Sequence, residues 1–178
     1  LVQTLLADAR FALQENANAV GWYNEKVSKA LGVLSIIHPE IATDVKSNFI
    51  FKWALAVTSN GIKVDKNFEL AEQAYAFYKE NNTLPEVFES GGEAREAMEI
   101  AFKTMNRLLA EKPFAELEEF MRTMHTVKEV KEYTGRNVGG GYGLSEMVYG
   151  AAIAGPKIGN GFFANLYGNY EQLTMDRW

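Results

Sequence analysis

The stretch AGPKIGNGFFANLYGNYEQLTMDRW, residues 154–178, decides the fold and the function that we predict for this chain. It contains a glycine-proline bend, one lysine among apolar residues, an amphipathic run and, further on, an aspartate. Glycine tolerates backbone conformations that other residues avoid, and proline suits the first turn of a helix. The pattern predicts a bend at 154–157, a helix over 158–167 and another helix that begins near Thr174.

Most of the remaining chain shows apolar residues at helical spacing. The sequence HPE ends the second of these runs, Asn60-Gly61 reads as a turn, and Asp65 reads as an N-cap. The glycine-rich sequence RNVGGGYG, residues 136–143, predicts a loop that could let backbone approach a ligand. We find no alternating strand pattern and no internal repeat, so the predicted fold class is all-α. The predicted helices cover 1–17, 22–37, 42–58, 65–81, 90–113, one or two segments before Gly135, and 144–153.

Length and composition predict one helical domain over residues 1–178. Hydrophobic residues make up 47% and charged residues 23%, which is typical of a globular protein. No apolar run has the length of a membrane span, and no signal-peptide pattern is present, so we expect an intracellular protein without a membrane partner. Because the chain begins at Leu1 and ends at Trp178 within a continuing pattern, we expect further C-terminal residues in the natural protein.

Cysteine content, histidine spacing and net charge exclude several kinds of metal site, cofactor and partner. The sequence has no cysteine, which excludes disulfides, thiolate zinc sites and iron–sulfur clusters in these residues. Its two histidines, His38 and His125, are far apart in sequence, so no metal and no cofactor are predicted. The net charge of −5 argues mildly against non-specific coating of nucleic acid, although a local basic groove remains compatible with it.

Lys157 is the candidate nucleophile. It falls in the first turn of the predicted helix, where exposed N–H groups bind anions and where the helix dipole is positive. We expect Ile158 and Phe162 to shield its amine from water. Both effects disfavour the charged form of the amine, which is how a lysine is prepared for nucleophilic attack. The plainer interpretation is a solvated lysine at the start of a helix.

Asp176 is the candidate partner of Lys157. It begins the next predicted helix, and a carboxylate there would face the lysine across the groove between two helices. Carboxylates stabilise the positive charge that develops on a sugar ring during glycosidic bond cleavage. The plainer interpretation is an N-cap of the last helix, which is compatible with the catalytic one because capping holds the side chain rigidly.

These residues resemble the helix-hairpin-helix DNA glycosylases, the superfamily of endonuclease III and the archaeal 8-oxoguanine glycosylases. Those enzymes carry a glycine-x-lysine turn, a helix and then an aspartate. Here GPK (155–157), FFANL (162–166) and TMDRW (174–178) follow in the same order at nearly the same spacing. The resemblance implies that Lys157 and Asp176 are catalytic, and that amides near Gly155 and Gly159 hold a phosphate with Arg177 as a second contact.

A second segment supports the resemblance. WALAVTSNGIKVDKNFELAEQAY, residues 53–75, is similar to the early helix pair of endonuclease III-like enzymes. In that family the polar residue of the connecting turn enters the space left by a flipped base, and Asn60 would inherit this role. Asparagine-glycine also forms turns in many unrelated proteins, so a turn former is the preferred interpretation of Asn60 and the base-flipping role is the alternative. The resemblance spans roughly residues 45–178, with a divergent middle.

Three features depart from the family pattern. The first hairpin glycine is absent, Trp178 stands where histidine is common, and RNVGGGYG is an additional loop. They bear on phosphate binding and substrate range more than on fold. They also admit a related function, the processing of a modified base as in viral hypermodification, in a divergent phage or bacterial member.

The function that the resemblance implies is that of a DNA glycosylase with associated β-lyase activity. Its partner would be double-stranded DNA with a damaged or modified base, which is extruded because the glycosidic bond is inaccessible inside the stack. The alternative is a non-catalytic helical protein, for example a viral structural or interaction protein, that retains the scaffold. The net negative charge of the chain and the absence of the first hairpin glycine favour this alternative.

Overall fold

The computed structural model describes residues 32–87 and 94–169, which fall in two compact units, Leu1–Ile41 and Ala42–Trp178. In the first unit, residues 32–37 are helical and His38 is buried. The helix ends at the predicted HPE sequence, where His38 Nδ1 lies 3.7 Å from Glu40 Oε1. Helix α1, Glu40–Thr43, includes the residues at which the first unit ends and the second begins.

The second unit is built around α2, Val45–Thr58, which packs along α3, Val64–Asn81. Asp44 caps α2, since its carboxylate accepts a hydrogen bond of 2.7 Å from the Ser47 N–H. Most of α2 is apolar and buried on every side, which makes it the central helix of this unit. Helix α3 begins at Val64, so the N-cap is Lys63 and not the predicted Asp65, which lies in the first turn.

Two further helices, α4 (Arg95–Glu111) and α5 (Phe114–Arg122), complete the helical layer. Residues 124–134 contain a short strand, β1 (Met124–Thr126), and then α6 (Val127–Thr134). The side chains of Thr126 and Glu129 form a reciprocal capping box at the start of α6. Gly135 ends this helix in the left-handed conformation, with φ of 69°.

The predicted helix over 144–153 is wrong. Met147–Tyr149 forms strand β2, which pairs antiparallel with β1 so that His125 opposes Val148, and Gly150–Ala154 forms a 3₁₀ turn. The close approach of this backbone to α5 requires a glycine at position 150, because a Cβ there would lie 2.3 Å from the carbonyl oxygen of Phe120. Predominantly helical architecture is confirmed, with this short strand pair as an addition.

The last described segment is helical, as predicted for 158–167. Lys157–Phe163 has π-helical hydrogen bonding and continues into α7, Ala164–Leu166. The N–H of Ala164, for example, donates to the carbonyl of Gly159 five positions earlier. Phe163 inserts into the core with its ring centroid 5.8 Å from that of Phe49 and 5.6 Å from that of Trp53. These edge-to-face contacts fix the segment against α2.

Within the described ranges, no helix combines the length and the apolar character that a bilayer span requires.

Candidate functional site

The bend before Lys157 is made by Gly155 and Pro156. Gly155 has φ of 114°, a conformation that L side chains rarely adopt, and Pro156 is the N-cap of the helical segment. Proline lacks an N–H, so it adds no unsatisfied donor at a helix start. The bend therefore presents Lys157 as the first residue of the π-helical segment, in agreement with the predicted position at a helix start.

The side chain of Lys157 is exposed. Its Nζ atom lies 5.8 Å from the centroid of the Phe162 ring, as expected for a weak cation–π contact at a wet site. Ile158 points into the core and is 3% exposed, so it does not cover the amine. We predicted that Ile158 and Phe162 both shield the amine of Lys157 from water, but only Phe162 contacts it. Ile158 cannot, because successive residues of a helix face different sides.

Gly155 and Gly159 use their own amides inside the chain. The N–H of Gly155 donates to the Ala152 carbonyl and that of Gly159 donates to the Gly155 carbonyl, each at 2.9 Å. Gly159 is also buried, and a Cβ there would lie 2.2 Å from the carbonyl carbon of Ala151. These two N–H groups are thus not available to the predicted phosphate. The glycine at 159 is required by the close approach of two backbones.

Asn160 stabilises this site through a buried hydrogen bond that we did not predict from the sequence. It is 4% exposed, and its Oδ1 atom accepts a hydrogen bond of 2.8 Å from the N–H of Tyr149. This bond ties the π-helical segment to strand β2 next to the bend. The available signal was a polar amide within the apolar sequence IGNGFF, since a buried polar side chain needs a partner.

The glycine loop lies against the bend. A Cβ at Gly140 would be 3.1 Å from Cγ of Pro156 and 3.3 Å from the ring of Tyr142, and Gly140 has φ of 83°. The loop therefore approaches the protein's own bend, with Tyr142 half-buried beside it. The Nε atom of Arg136 is buried and has no hydrogen-bond partner among the residues that the structure describes.

Asn60 lies in the turn that follows α2 and is half-buried. The turn is held at both sides: the Thr58 hydroxyl lies 2.6 Å from Oδ1 of Asn67 on α3, and the N–H of Ile62 donates to the Ser59 carbonyl at 3.3 Å. Gly61 completes the turn with φ of 70°. The predicted turn is present, and the structure gives Asn60 a fixed backbone position.

Asp176 and Arg177 lie outside the described residues, which end at Asn169. The pairing of Asp176 with Lys157 and the phosphate contact of Arg177 therefore stay predictions. Among residues 32–87 and 94–169, no group of three histidine, aspartate or glutamate side chains is arranged to hold a metal ion.

A second cationic group, also missed from the sequence, surrounds Tyr167. Nζ of Lys52 on α2 lies 4.0 Å from the centroid of the Tyr167 ring, and Cζ of Arg122 at the end of α5 lies 4.3 Å from it. Arg122 also forms an ion pair of 2.6 Å with Glu118. We call these four residues the Tyr167 cluster. Its members come from three separate helical segments, so no local pattern predicts it.

The surroundings of the Tyr167 cluster shift the pKa of two of its members, Lys52 and Tyr167. Burial is the main cause that lowers the pKa of Lys52, and the Arg122 charge lowers it further, while Glu118 acts in the opposite direction. Burial also raises the pKa of Tyr167, with the Glu118 carboxylate adding to the effect. The Tyr167 hydroxyl is buried and has no hydrogen-bond partner within the described part of the chain.

Comparison with known proteins identifies no relative. No family model, no curated protein and no solved structure matches the chain.

Proposed function

We propose that this protein is a DNA glycosylase with β-lyase activity, in which Lys157 is the nucleophile and Asp176 stabilises the cationic sugar. One observation carries the proposal: an exposed lysine amine begins a helical segment directly after a glycine-proline bend. An amine at this position is accessible to a sugar carbon that has been extruded from a duplex.

The chemistry needs only the amine, the carboxylate and water. Nζ of Lys157 attacks C1′, and the N-glycosidic bond breaks with its electrons leaving on the base, which takes up a proton. Opening of the sugar ring gives a protonated imine between C1′ and Nζ. Loss of a C2′ proton then expels the 3′ phosphate, and water releases the sugar remnant from Lys157.

Two features in separate parts of the chain support DNA as the substrate. The glycine loop with Tyr142 lies beside the bend, and an aromatic ring at this place can stack on an extruded or unpaired base. The turn that contains Asn60 is fixed between α2 and α3, as a residue that fills the space of a flipped base would require. Phosphate binding in this proposal needs donors other than the Gly155 and Gly159 amides, such as Arg177.

Borohydride trapping tests the proposal directly. We expect a covalent adduct between the protein and a duplex oligonucleotide with one abasic site, and we expect Lys157→Ala to abolish it. Lys103→Ala is the matched control, since its side chain is 73% exposed but lies on α4. Asp176→Asn should slow base removal more than it slows trapping at a preformed abasic site, because capture of the free aldehyde involves no glycosidic cleavage.

The competing function is a non-catalytic helical protein. The net charge of −5 and the internal use of both glycine amides favour it. Such a protein would give neither the adduct nor a DNA affinity that falls with salt between roughly 50 and 200 mM, which phosphate contacts would produce. A trapped adduct that peptide mass spectrometry does not locate at Lys157 would likewise contradict the assignment of the nucleophile.

A further inference from the structure

The Tyr167 cluster contains a lysine over a tyrosine ring that a second cation also contacts. Lys112 likewise lies over a tyrosine ring, with its Nζ atom 4.5 Å from the Tyr133 centroid. Lys52 is half-buried, and its amine lies over an aromatic ring near a second cation. Within residues 32–87 and 94–169, its Nζ atom forms no hydrogen bond or ion pair with a carboxylate. Lys66, by comparison, forms an ion pair of 2.8 Å with Glu69 at the protein surface. A desolvated amine beside another cation is a recurring arrangement for nucleophilic lysines.

Arg122 supplies the second half of a site. Its Nη1 atom is taken by Glu118, but a guanidinium has five N–H donors in a fixed fork. The Arg122 side chain is 41% exposed, so donors remain accessible to a ligand from solvent. Arg122 therefore provides the positive charge for an anionic ligand, and its ion pair with Glu118 leaves further N–H donors for that ligand.

We propose that the Tyr167 cluster is a second reactive site, in which Lys52 forms a Schiff base with an aldehyde that carries a phosphate and Arg122 binds the phosphate. This proposal is independent of the role of Lys157. The aldehyde is either a small phosphorylated compound or the sugar of an abasic site, because both present a carbonyl carbon near a phosphate.

The reaction is balanced without any further reagent. The neutral amine of Lys52 forms a C–N bond to the carbonyl carbon, and the carbonyl oxygen takes up the amine proton. This hydroxyl then leaves with the remaining proton of the nitrogen as water, and a C=N double bond forms, which gives the imine. Because burial lowers the pKa of Lys52, more of its amine is neutral at pH 7, by about tenfold for each pH unit that the pKa falls. Burial and the Arg122 charge favour the neutral amine, whereas the Tyr167 ring and the Glu118 carboxylate, which also face it, favour the protonated form.

Pyridoxal 5′-phosphate with borohydride is a suitable probe, and pyridoxal is its counterpart without phosphate. With less than one equivalent of probe at pH 7, we expect Lys52 to be labelled several-fold more than Lys103 or Lys128, as read by peptide mass spectrometry. Labelling of Lys52 should also reach half its maximum below pH 10.5, the ordinary pKa of a lysine.

Two variants identify what each cation does. Lys52→Arg keeps the charge over Tyr167 and should remove the selective label. Arg122→Gln should reduce the label from pyridoxal 5′-phosphate by about 10-fold and that from pyridoxal by less, since only the former carries the group that Arg122 binds. Circular dichroism checks that both variants are folded.

A second experiment, in which the abasic duplex replaces pyridoxal 5′-phosphate, distinguishes the two sources of the aldehyde. An adduct at Lys52 in this experiment identifies the sugar as a substrate, and one formed only with pyridoxal 5′-phosphate identifies a small compound. A label spread evenly over exposed lysines in both experiments, or equal labelling by pyridoxal and its phosphate, overturns the proposal. Neither result bears on an adduct at Lys157, so the two proposals fail separately.

Discussion

Replacing Gly159 by alanine sets two physical effects against each other. Alanine is the better helix former, so propensity alone predicts a gain of up to about 1 kcal/mol in the free energy of unfolding. Packing predicts a loss in the free energy of unfolding instead. The new Cβ would lie 2.2 Å from both the Ala151 carbonyl carbon and the Ala152 nitrogen.

The size of the effect follows from those distances. The two backbones would have to separate by about 1 Å to reach the 3.4 Å of ordinary van der Waals contact. Backbone atoms cannot move aside by changing rotamer, and both neighbours are buried. Overpacking typically lowers the free energy of unfolding by about 1–3 kcal/mol, and we expect Gly159→Ala to lower it by about 3 kcal/mol or more. A loss of about 3 kcal/mol in a chain of this size lowers Tm by roughly 6–12 °C.

Urea unfolding and thermal melting, both followed by circular dichroism, measure the effect. Gly139→Ala is the matched control, since no atom lies within 4 Å of a Cβ built at this loop position. We expect the control to stay within about 0.5 kcal/mol of the original protein. A Gly159→Ala variant as stable as the control, or more stable, would refute the close approach of the 3₁₀ turn and the π-helical segment.

Two other predictions test polar contacts. Asn160→Ala removes the acceptor of the buried Tyr149 N–H and should cost about 1–3 kcal/mol in urea unfolding; a change below about 0.5 kcal/mol would contradict the bond. Asp44→Ala removes the cap of α2, and its destabilising effect should depend on pH. Hydrogen bonds from Ser47 lower the pKa of Asp44 below its ordinary 3.8, so the cap stabilises the fold above pH 3.8 and loses its effect as pH falls through the folded-state value. A difference between Asp44→Ala and the original protein that persists unchanged at about pH 2 would disprove this linkage.

Local patterns predicted most of the described helices and turns, but not the strand and the 3₁₀ turn within 144–153. The apolar spacing around Trp53 predicted the central helix, and Asn60-Gly61 and Gly155-Pro156 predicted where the chain turns. Each of these signals acts within a few residues, through backbone dihedral preferences and one-sided burial. The position of Lys157 at a helix start was predictable for the same reason.

Features that depend on distant residues were not predictable. Strands β1 and β2 have three residues each, too few for an alternating pattern, and they form because the chain returns to α5. Gly150 and Gly159 have packing roles that are visible only when the opposing backbone is known. Lys52 acquires its environment from Arg122 and Tyr167, which lie 70 and 115 positions later in the sequence.

The π-helical hydrogen bonding of Lys157–Phe163 makes this segment a natural point for a change of register. Removing one residue there would let the helix contract to ordinary α geometry without breaking it. A π turn holds one more residue than an α turn, so this contraction would absorb the deletion and leave the side chains downstream facing nearly the same way. Tyr167 would keep its contacts with Lys52 and Arg122, whereas the same deletion in a regular α-helix would turn it by roughly 100°. The π-helical segment thus makes the Tyr167 cluster tolerant of a one-residue change in chain length between the bend and Tyr167.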